Sequence, residues 1–169
     1  MDAVVEQARA FAARAYGSTT ALEHPLEVAR LVERADFRPE VVAAAVLHDV
    51  VEDTDVEVQQ IAARFGSYVA ALVSTLTEDE SISGYAERKR EHRRRACAAG
   101  REASAIFVAD KLSNARRMRR AKKEPKARKV AHYGATLELM RSERPDLPML
   151  DKLDRELQAL RAELQRSPA

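Results

Sequence analysis

Hydrophobic positions recur along the chain with the spacing of α-helices, and no segment alternates convincingly as a strand would. Glycine, proline and polar stretches separate these periodic segments. The pattern predicts an all-α fold, one compact bundle of about eight to ten helices. The expected helices cover residues 3–16, 25–35, 39–51, a segment after Thr54 that ends at Phe65, 67–76, 85–98, 103–120, 126–141 and 149–165.

The breaks between these helices have recognisable causes. Gly17 ends the first helix, and Pro25 suits the first turn of the second. Thr54 and Glu57 form a capping-box pattern, and Gly66 ends the helix that follows. Residues 77–84 are expected to form a polar loop, and the tail 166–169 is expected to fray. The apolar run 41–47 predicts the most buried helix.

Composition narrows the class of protein. With 169 residues, of which 46% are hydrophobic and 33% charged, the chain is expected to form a single domain over residues 1–169. The single cysteine, Cys97, excludes an internal disulfide framework. The longest apolar run is far shorter than the roughly 20 residues that cross a bilayer. No secretory signal is recognised, so we expect a cytoplasmic protein without membrane contact.

Charge is balanced overall but uneven along the chain. The net charge is +2, with 29 basic and 27 acidic residues, yet basic residues cluster at 88–95 and 116–129. Most of the first cluster is expected to be a solvated helix face, while Arg116 or Arg117 could reach a phosphate. His92 and His132 have no acidic neighbours at ligand spacing and are expected to be surface or structural residues.

Ligand-type side chains mark the end of the apolar helix. On a continuous helix, His48 and Glu52 lie one turn apart, as do Asp49 and Asp53. Grouped carboxylates need a neutralising cation, and together with the upstream His24 and the downstream Asp110 they suit manganese, iron or zinc. In the alternative interpretation, Glu52 and Asp53 end the helix in solvent, and Asp110 pairs with a basic residue other than Lys111, which should point elsewhere.

Together these residues resemble a known family. The order His24, His48–Asp49, Asp110 resembles the HD superfamily of metal-dependent phosphohydrolases. Over residues 22–118 the chain is similar to the hydrolase domain of RelA/SpoT-type alarmone enzymes and to stand-alone small alarmone hydrolases, which include the metazoan SpoT homologue. The matching segments are Leu47-His48-Asp49-Val50-Val51-Glu52-Asp53-Thr54, Phe65-Gly66, Leu76-Thr77, His24-Pro25-Leu26 and Ala109-Asp110-Lys111-Leu112 with Asn114 and Arg116.

The resemblance implies a function and a role for each site residue. It implies removal of the 3′-pyrophosphate of ppGpp or pppGpp, which yields GDP or GTP and pyrophosphate. Glu52 and Asp53 would position and deprotonate the attacking water. The implied ligands of one Mn²⁺, or of another divalent transition metal, are His24, His48, Asp49 and Asp110; the implied substrate contacts are Lys111, Asn114 and Arg116.

The segment before His24 departs from the family. The His-x-Gly-Gln-x-Arg and Pro-Tyr-Ile patterns expected there are absent. Arg14 and Tyr16 are the residues that could contact the base instead, so the exact nucleotide stays open. An HD hydrolase acting on a nucleotide monophosphate or NADPH is one alternative, and a non-catalytic nucleotide sensor is another. A nucleic-acid-binding helical module is disfavoured, because only 5% of the residues are aromatic.

Overall fold

The fold is entirely helical across the part of the chain that the structure describes. The computed structural model describes residues 2–121 and 125–166, and no strand occurs in these two stretches. This confirms the predicted fold class. The helices are α1 (Ala3–Tyr16), α2 (Thr19–Glu33), α3 (Pro39–Leu47), α4 (Val50–Asp53), α5 (Val58–Leu76), α6 (Tyr85–Ala98), α7 (Arg101–Arg120), α8 (Ala127–Glu143) and α9 (Leu150–Arg166).

Two helices form the centre of the bundle. Residues 41–47 of α3 are at most 2% exposed, because this helix packs against α1, α2, α5 and α7. The other central helix is α7, which also contacts α6, α8 and α9. Since the apolar run 41–47 has no polar face, full enclosure by neighbouring helices is the arrangement its composition favours. The prediction that it is the most buried helix is confirmed.

The predicted start of the second helix was wrong. Helix α2 begins at Thr19 and contains Pro25 in its interior, rather than beginning there. Thr19, Thr20 and Glu23 are exposed. A solvent-facing side of α2 therefore accommodates these polar residues, which precede the predicted start of the helix. Pro25 is buried and lacks the N–H that would continue the hydrogen-bond ladder, but packing on both sides retains the helix around it.

The predicted continuous helix 39–51 is interrupted. Helix α3 ends at Leu47, and Asp49, with φ −103° and ψ −2°, precedes the short helix α4. The Nδ1 atom of His48 lies 2.8 Å from the carbonyl oxygen of Ala45, which is one of the last carbonyls of α3. A side-chain donor thereby satisfies a group that a helix end would leave unpaired.

The caps around α5 differ in part from the prediction. The capping box is formed by Glu57 and Gln60. The Thr54 hydroxyl instead donates a hydrogen bond to the Val50 carbonyl and accepts one from the Val56 amide. The break at Gly66 is confirmed as a kink with φ 87° inside α5. Residues 77–84 form the expected loop. Of the tail expected to fray, residues 167–169 lie outside the described part of the chain.

No helix within residues 2–121 and 125–166 combines the length and the apolar character that a membrane crossing requires.

Candidate metal centre

Four ligand-type side chains from three parts of the bundle converge on one point. His24 comes from α2, His48 and Asp49 from the junction of α3 and α4, and Asp110 from α7. One ligand atom of each lies within 4.8 Å of the corresponding atoms of the others. The Nε2 atom of His24 is 3.0 Å from Oδ1 of Asp110, and Nε2 of His48 is 3.1 Å from Oδ2 of Asp49.

Hydrogen bonds orient both imidazole rings towards this point. The Nδ1 atom of His48 is a proton donor, since it contacts the Ala45 carbonyl oxygen. The Nδ1 atom of His24 lies 3.0 Å from the hydroxyl of Ser113. Each ring therefore presents Nε2 to the cluster, where the Asp49 and Asp110 carboxylates lie beside it. Such outer contacts are typical of metal-binding histidines.

The four residues fit a divalent metal ion. Two imidazole nitrogens and two carboxylates are a donor set that suits a borderline transition metal. Burial disfavours charge on His48, but Asp49 and Asp110 outweigh it and raise the pKa of His48 to about 9. Burial likewise opposes ionisation of Asp110, yet Lys111, His24 and His48 hold its pKa well below the ordinary value. The carboxylates are therefore ionised and ready to bind a cation.

Lys111 and Asn114 contact the Asp110 carboxylate directly. The Nζ atom of Lys111 is 2.5 Å from Oδ2, and Nδ2 of Asn114 is 2.5 Å from Oδ1. The expectation that Lys111 points elsewhere is wrong, because its long side chain turns back across the ring of Phe107, with Nζ 4.1 Å from the ring centre. The lysine thus compensates a buried carboxylate of its own helix.

A cavity of about 150 Å³ opens beside the cluster. The site residues in its wall are His48, Asp49, Glu52, Asp110, Lys111 and Asn114. The rest of its wall comes from the loop after α5 and from α6, α7 and α8, through Leu76, Glu78, Tyr85, Lys89, His92, Ile106, Phe107, Lys129, His132 and Tyr133. The cavity wall therefore combines carboxylates and His48 of the cluster with lysine, histidine and aromatic side chains from α6, α7 and α8.

The two acidic residues of α4 point to different places. Glu52 lines the cavity, and its Oε1 atom accepts a hydrogen bond of 2.5 Å from the Glu78 amide. Burial and nearby carboxylates raise the pKa of Glu52 to about 7, against the effect of that amide. Asp53 lies instead in a surface recess beside Tyr16, where burial and Asp49 raise its pKa.

Two of the predicted substrate contacts do not line the cavity. The Nε atom of Arg116 lies 3.5 Å from a carboxylate oxygen of Glu156 on α9. Arg14 is exposed on α1. Lys111 and Asn114 do line the cavity. The assignment of all four residues to substrate stays a prediction.

Sequence reasoning missed the cavity wall opposite the metal ligands. His92 and His132 are 4% and 7% exposed, so neither is a surface residue. A positional pattern could have found this wall. Tyr85, Lys89 and His92 lie four and three residues apart on α6 and so share one helix face. On α8, His132 and Tyr133 follow Lys129 by three and four residues, so both lie near Lys129 on the helix surface.

Most basic residues of α6 are also not a solvated face. Arg88 and Lys89 pair with Glu78, Arg93 contacts His132, and Arg95 donates to the Thr77 carbonyl. Arg90 and Arg94 are exposed, as expected. The prediction failed because the loop 77–84 brings an acidic side chain and carbonyl groups against the helix.

Comparison with known proteins is consistent with this geometry. The chain matches the family model described as HD domain over residues 3–137. It is 37% identical over 118 residues to the guanosine-3′,5′-bis(diphosphate) 3′-pyrophosphohydrolase MESH1 of Danio rerio. The aligned region covers 68% of this chain and 65% of the length of that relative.

Two solved structures are similar in fold. One is a metazoan ortholog of SpoT that hydrolyses ppGpp and plays a role in starvation responses; its TM-score is 0.78 at 26% identity, over 94% of this chain and 96% of the other. The second is the Listeria monocytogenes EGD-e protein lmo0812, with a TM-score of 0.73 at 32% identity, over 85% of this chain and 94% of the other.

Proposed function

The chain belongs to the HD-domain family, and we propose that it is a metal-dependent hydrolase that removes the 3′-pyrophosphate of ppGpp or pppGpp. The products are GDP or GTP and pyrophosphate. The observation that carries the proposal is the convergence of His24, His48, Asp49 and Asp110 at one end of a cavity whose other wall is rich in lysine. The names of the relatives support the choice of substrate.

In this proposal His24, His48, Asp49 and Asp110 hold one divalent ion, which we assign as Mn²⁺. When bound, the ion supplies positive charge beside the scissile phosphate and makes water easier to deprotonate. The proposed proton acceptors are Glu52, in the cavity wall, and Asp53, which lies in the recess beside Tyr16 and whose pKa the charge of Asp49 raises. Glu52 is well suited to that role, because a carboxylate in the cavity wall with a pKa of about 7 can take a proton at neutral pH.

The protein also positions the substrate. The ammonium groups of Lys89 and Lys111 place positive charge in the cavity wall, which favours a highly charged phosphate ester. A cavity of about 150 Å³ is smaller than the roughly 300–1,000 Å³ typical of sites that enclose a whole ligand. We therefore place the 3′-pyrophosphate inside it and the nucleoside in the adjoining groove of about 390 Å³, which Asn114, Lys129 and Tyr133 share with the cavity.

A product analysis tests the substrate assignment. The protein is incubated with Mn²⁺ and, separately, with ppGpp, pppGpp, nucleotide monophosphates and NADPH, and the released phosphates are separated by ion chromatography. We expect one pyrophosphate and one GDP per ppGpp consumed. Orthophosphate release from a monophosphate or from NADPH, with ppGpp left intact, would identify the alternative HD hydrolase and overturn the proposal.

A further inference from the structure

The cavity wall contributed by α8 holds a buried imidazole whose proton position is fixed. The Nη1 atom of Arg93 lies 3.2 Å from Nδ1 of His132. A guanidinium group can only donate, so Nδ1 must accept and the ring proton of a neutral His132 must reside on Nε2. Burial, followed by the charges of Lys111, Lys89 and Arg93, lowers the pKa of His132 to about 3, so the ring is neutral at pH 7.

This N–H group has no hydrogen-bond partner among the residues that the structure describes. His132 is 7% exposed, and its Nε2 atom is buried without a hydrogen bond to any described residue. An unsatisfied buried donor costs free energy, and such groups are expected to meet a ligand or ordered water. Since the ring lines the cavity, a ligand there is the available acceptor.

Lys129, one helical turn before His132, adds a positive charge without a counter-ion. Lys89 and Lys111 pair with Glu78 and Asp110, but Lys129 makes no ion pair within 4.0 Å in residues 2–121 and 125–166. Lys129 is exposed, and partial burial together with the like charges of Lys126 and Lys89 lowers its pKa. A bound anion would favour the charged form of this side chain.

We propose that the part of the cavity wall formed by α8 is a diphosphate site, in which Nε2–H of His132 donates to a phosphate oxygen and Lys129 supplies the compensating charge. This inference rests on the proposed function, because it assigns the departing pyrophosphate of that reaction to these two residues. A neutral donor with a fixed tautomer recognises a phosphate oxygen without adding a further buried charge. We expect pyrophosphate, with two phosphoryl groups, to bind more tightly than orthophosphate.

Calorimetric titration of inorganic pyrophosphate tests the site without turnover. The protein is titrated as purified and again after addition of Mn²⁺, in parallel with His132→Phe, His132→Gln and the matched control His92→Phe. His92 lines the same cavity and packs on the same Phe107 ring, but its Nδ1 atom faces the Glu78 carboxylate at 3.7 Å. That carboxylate favours the ring proton on Nδ1, so the Nε2 atom of a neutral His92, although it too has no hydrogen-bond partner among the described residues, has no proton to donate to a phosphate oxygen. We expect about tenfold weaker binding for His132→Phe, as for loss of one hydrogen bond to a charged group.

The other variants separate hydrogen bonding from packing. We expect His132→Gln, which keeps an N–H donor, and His92→Phe to remain within about threefold of the unchanged protein, in line with loss of no ligand hydrogen bond. Unchanged pyrophosphate affinity in His132→Phe, an equal loss in His92→Phe, or no pyrophosphate binding by the unchanged protein would each overturn the proposal.

A spectroscopic measurement on the unchanged protein covers the case in which His132→Phe does not fold. Nitrogen-15 spectra of the histidine rings report which nitrogen carries the proton. We expect His132 to be protonated at Nε2 at pH 7, and that signal to move when pyrophosphate is added. Protonation at Nδ1, or a signal that pyrophosphate leaves in place, contradicts the proposal. Pyrophosphate binding without hydrolysis of ppGpp would instead contradict the proposed function alone.

Discussion

At the scale of single residues, the site depends on which ring nitrogen each histidine presents. The Nδ1 atom of His24 contacts the Ser113 hydroxyl, and the Nδ1 atom of His48 contacts the Ala45 carbonyl oxygen. Both Nε2 atoms therefore face Asp49 and Asp110. The chemistry and order of His24, His48, Asp49 and Asp110 predicted that these residues come together, and the structure brings them to one point. The sequence could not predict Ser113 as the partner of His24, because 89 residues separate the two and only the folded chain brings them together.

Ser113 provides a first test of the metal centre. We expect Ser113→Ala to weaken Mn²⁺ binding by about 10- to 100-fold, because loss of an outer contact frees the His24 ring to rotate. Isothermal titration calorimetry measures the affinity. Ser104→Ala is the matched control, since Ser104 is also buried on α7 but bonds the carbonyls of Ala96 and Gly100. Equal affinities in all three proteins would show that Ser113 does not orient a ligand.

Alanine substitutions of Asp49 and Asp53, the two aspartates near the junction of α3 and α4, should have different effects on metal binding and turnover. We expect Asp49→Ala to lose the metal, because a ligand oxygen disappears from the cluster. Asp53→Ala should retain the metal and lose turnover by at least about 100-fold, as for removal of a proton acceptor. Metal content by mass spectrometry and the rate of pyrophosphate release measure the two effects. An Asp53→Ala enzyme of normal activity would remove Asp53 from the proposed mechanism and leave Glu52.

At the scale of helices, local sequence patterns predicted most of the boundaries. The bounds of α1 and α6 agree with the predicted ranges, because a glycine flanks each helix at an end where the periodicity stops. The start of α2 and the break between α3 and α4 were missed. Tertiary packing allows Pro25 inside α2, and the His48 side chain bonds a carbonyl at the end of α3. Neither effect follows from helix propensity.

The kink in α5 should depend on glycine. Gly66 has φ 87° and ψ 163°, a conformation that is essentially restricted to glycine, whereas Gly17 has φ 60° and ψ 9°. No atom lies within 4 Å of a Cβ built at either position, so the substitutions compare backbone strain alone. We expect Gly66→Ala to cost about 1–3 kcal/mol of unfolding free energy in urea titrations, and Gly17→Ala to cost less. Equal costs would contradict this ranking.

The loop between α5 and α6 should make stability depend on pH. The His92 ring, Lys89 and Arg88 lower the pKa of Glu78 well below 4.5, although burial opposes them. Its contribution to stability is therefore complete above pH 4.5, and it is lost as the pH falls below that value. We expect Glu78→Gln to flatten the acid side of a plot of unfolding free energy against pH. Glu80→Gln, at an exposed position of the same loop, should leave the plot unchanged.

A plot for Glu78→Gln as steep below pH 4.5 as that of the unchanged protein would show that Glu78 is not a source of the acid sensitivity.

At the scale of the whole molecule, the bundle brings two unlike surfaces to one cavity. Helices α2 and α7 and the junction of α3 and α4 provide the four residues of the candidate metal centre, while α6 and α8 provide lysine, histidine and aromatic residues of the cavity wall. The sequence predicted the first surface because its residue types are rare in apolar helices. It did not predict the second, because basic residues on a helix are ordinarily solvated and their direction depends on how α6 and α8 pack against α7.

Metal-titrated hydrolysis of ppGpp tests the central claim most directly. Protein freed of metal by a chelator is titrated with Mn²⁺ while pyrophosphate release from ppGpp is followed. We expect negligible release without metal and a rate that rises with bound Mn²⁺ until one ion occupies each chain. Pyrophosphate release at the full rate in the presence of the chelator, or none at any Mn²⁺ concentration, would contradict the central claim.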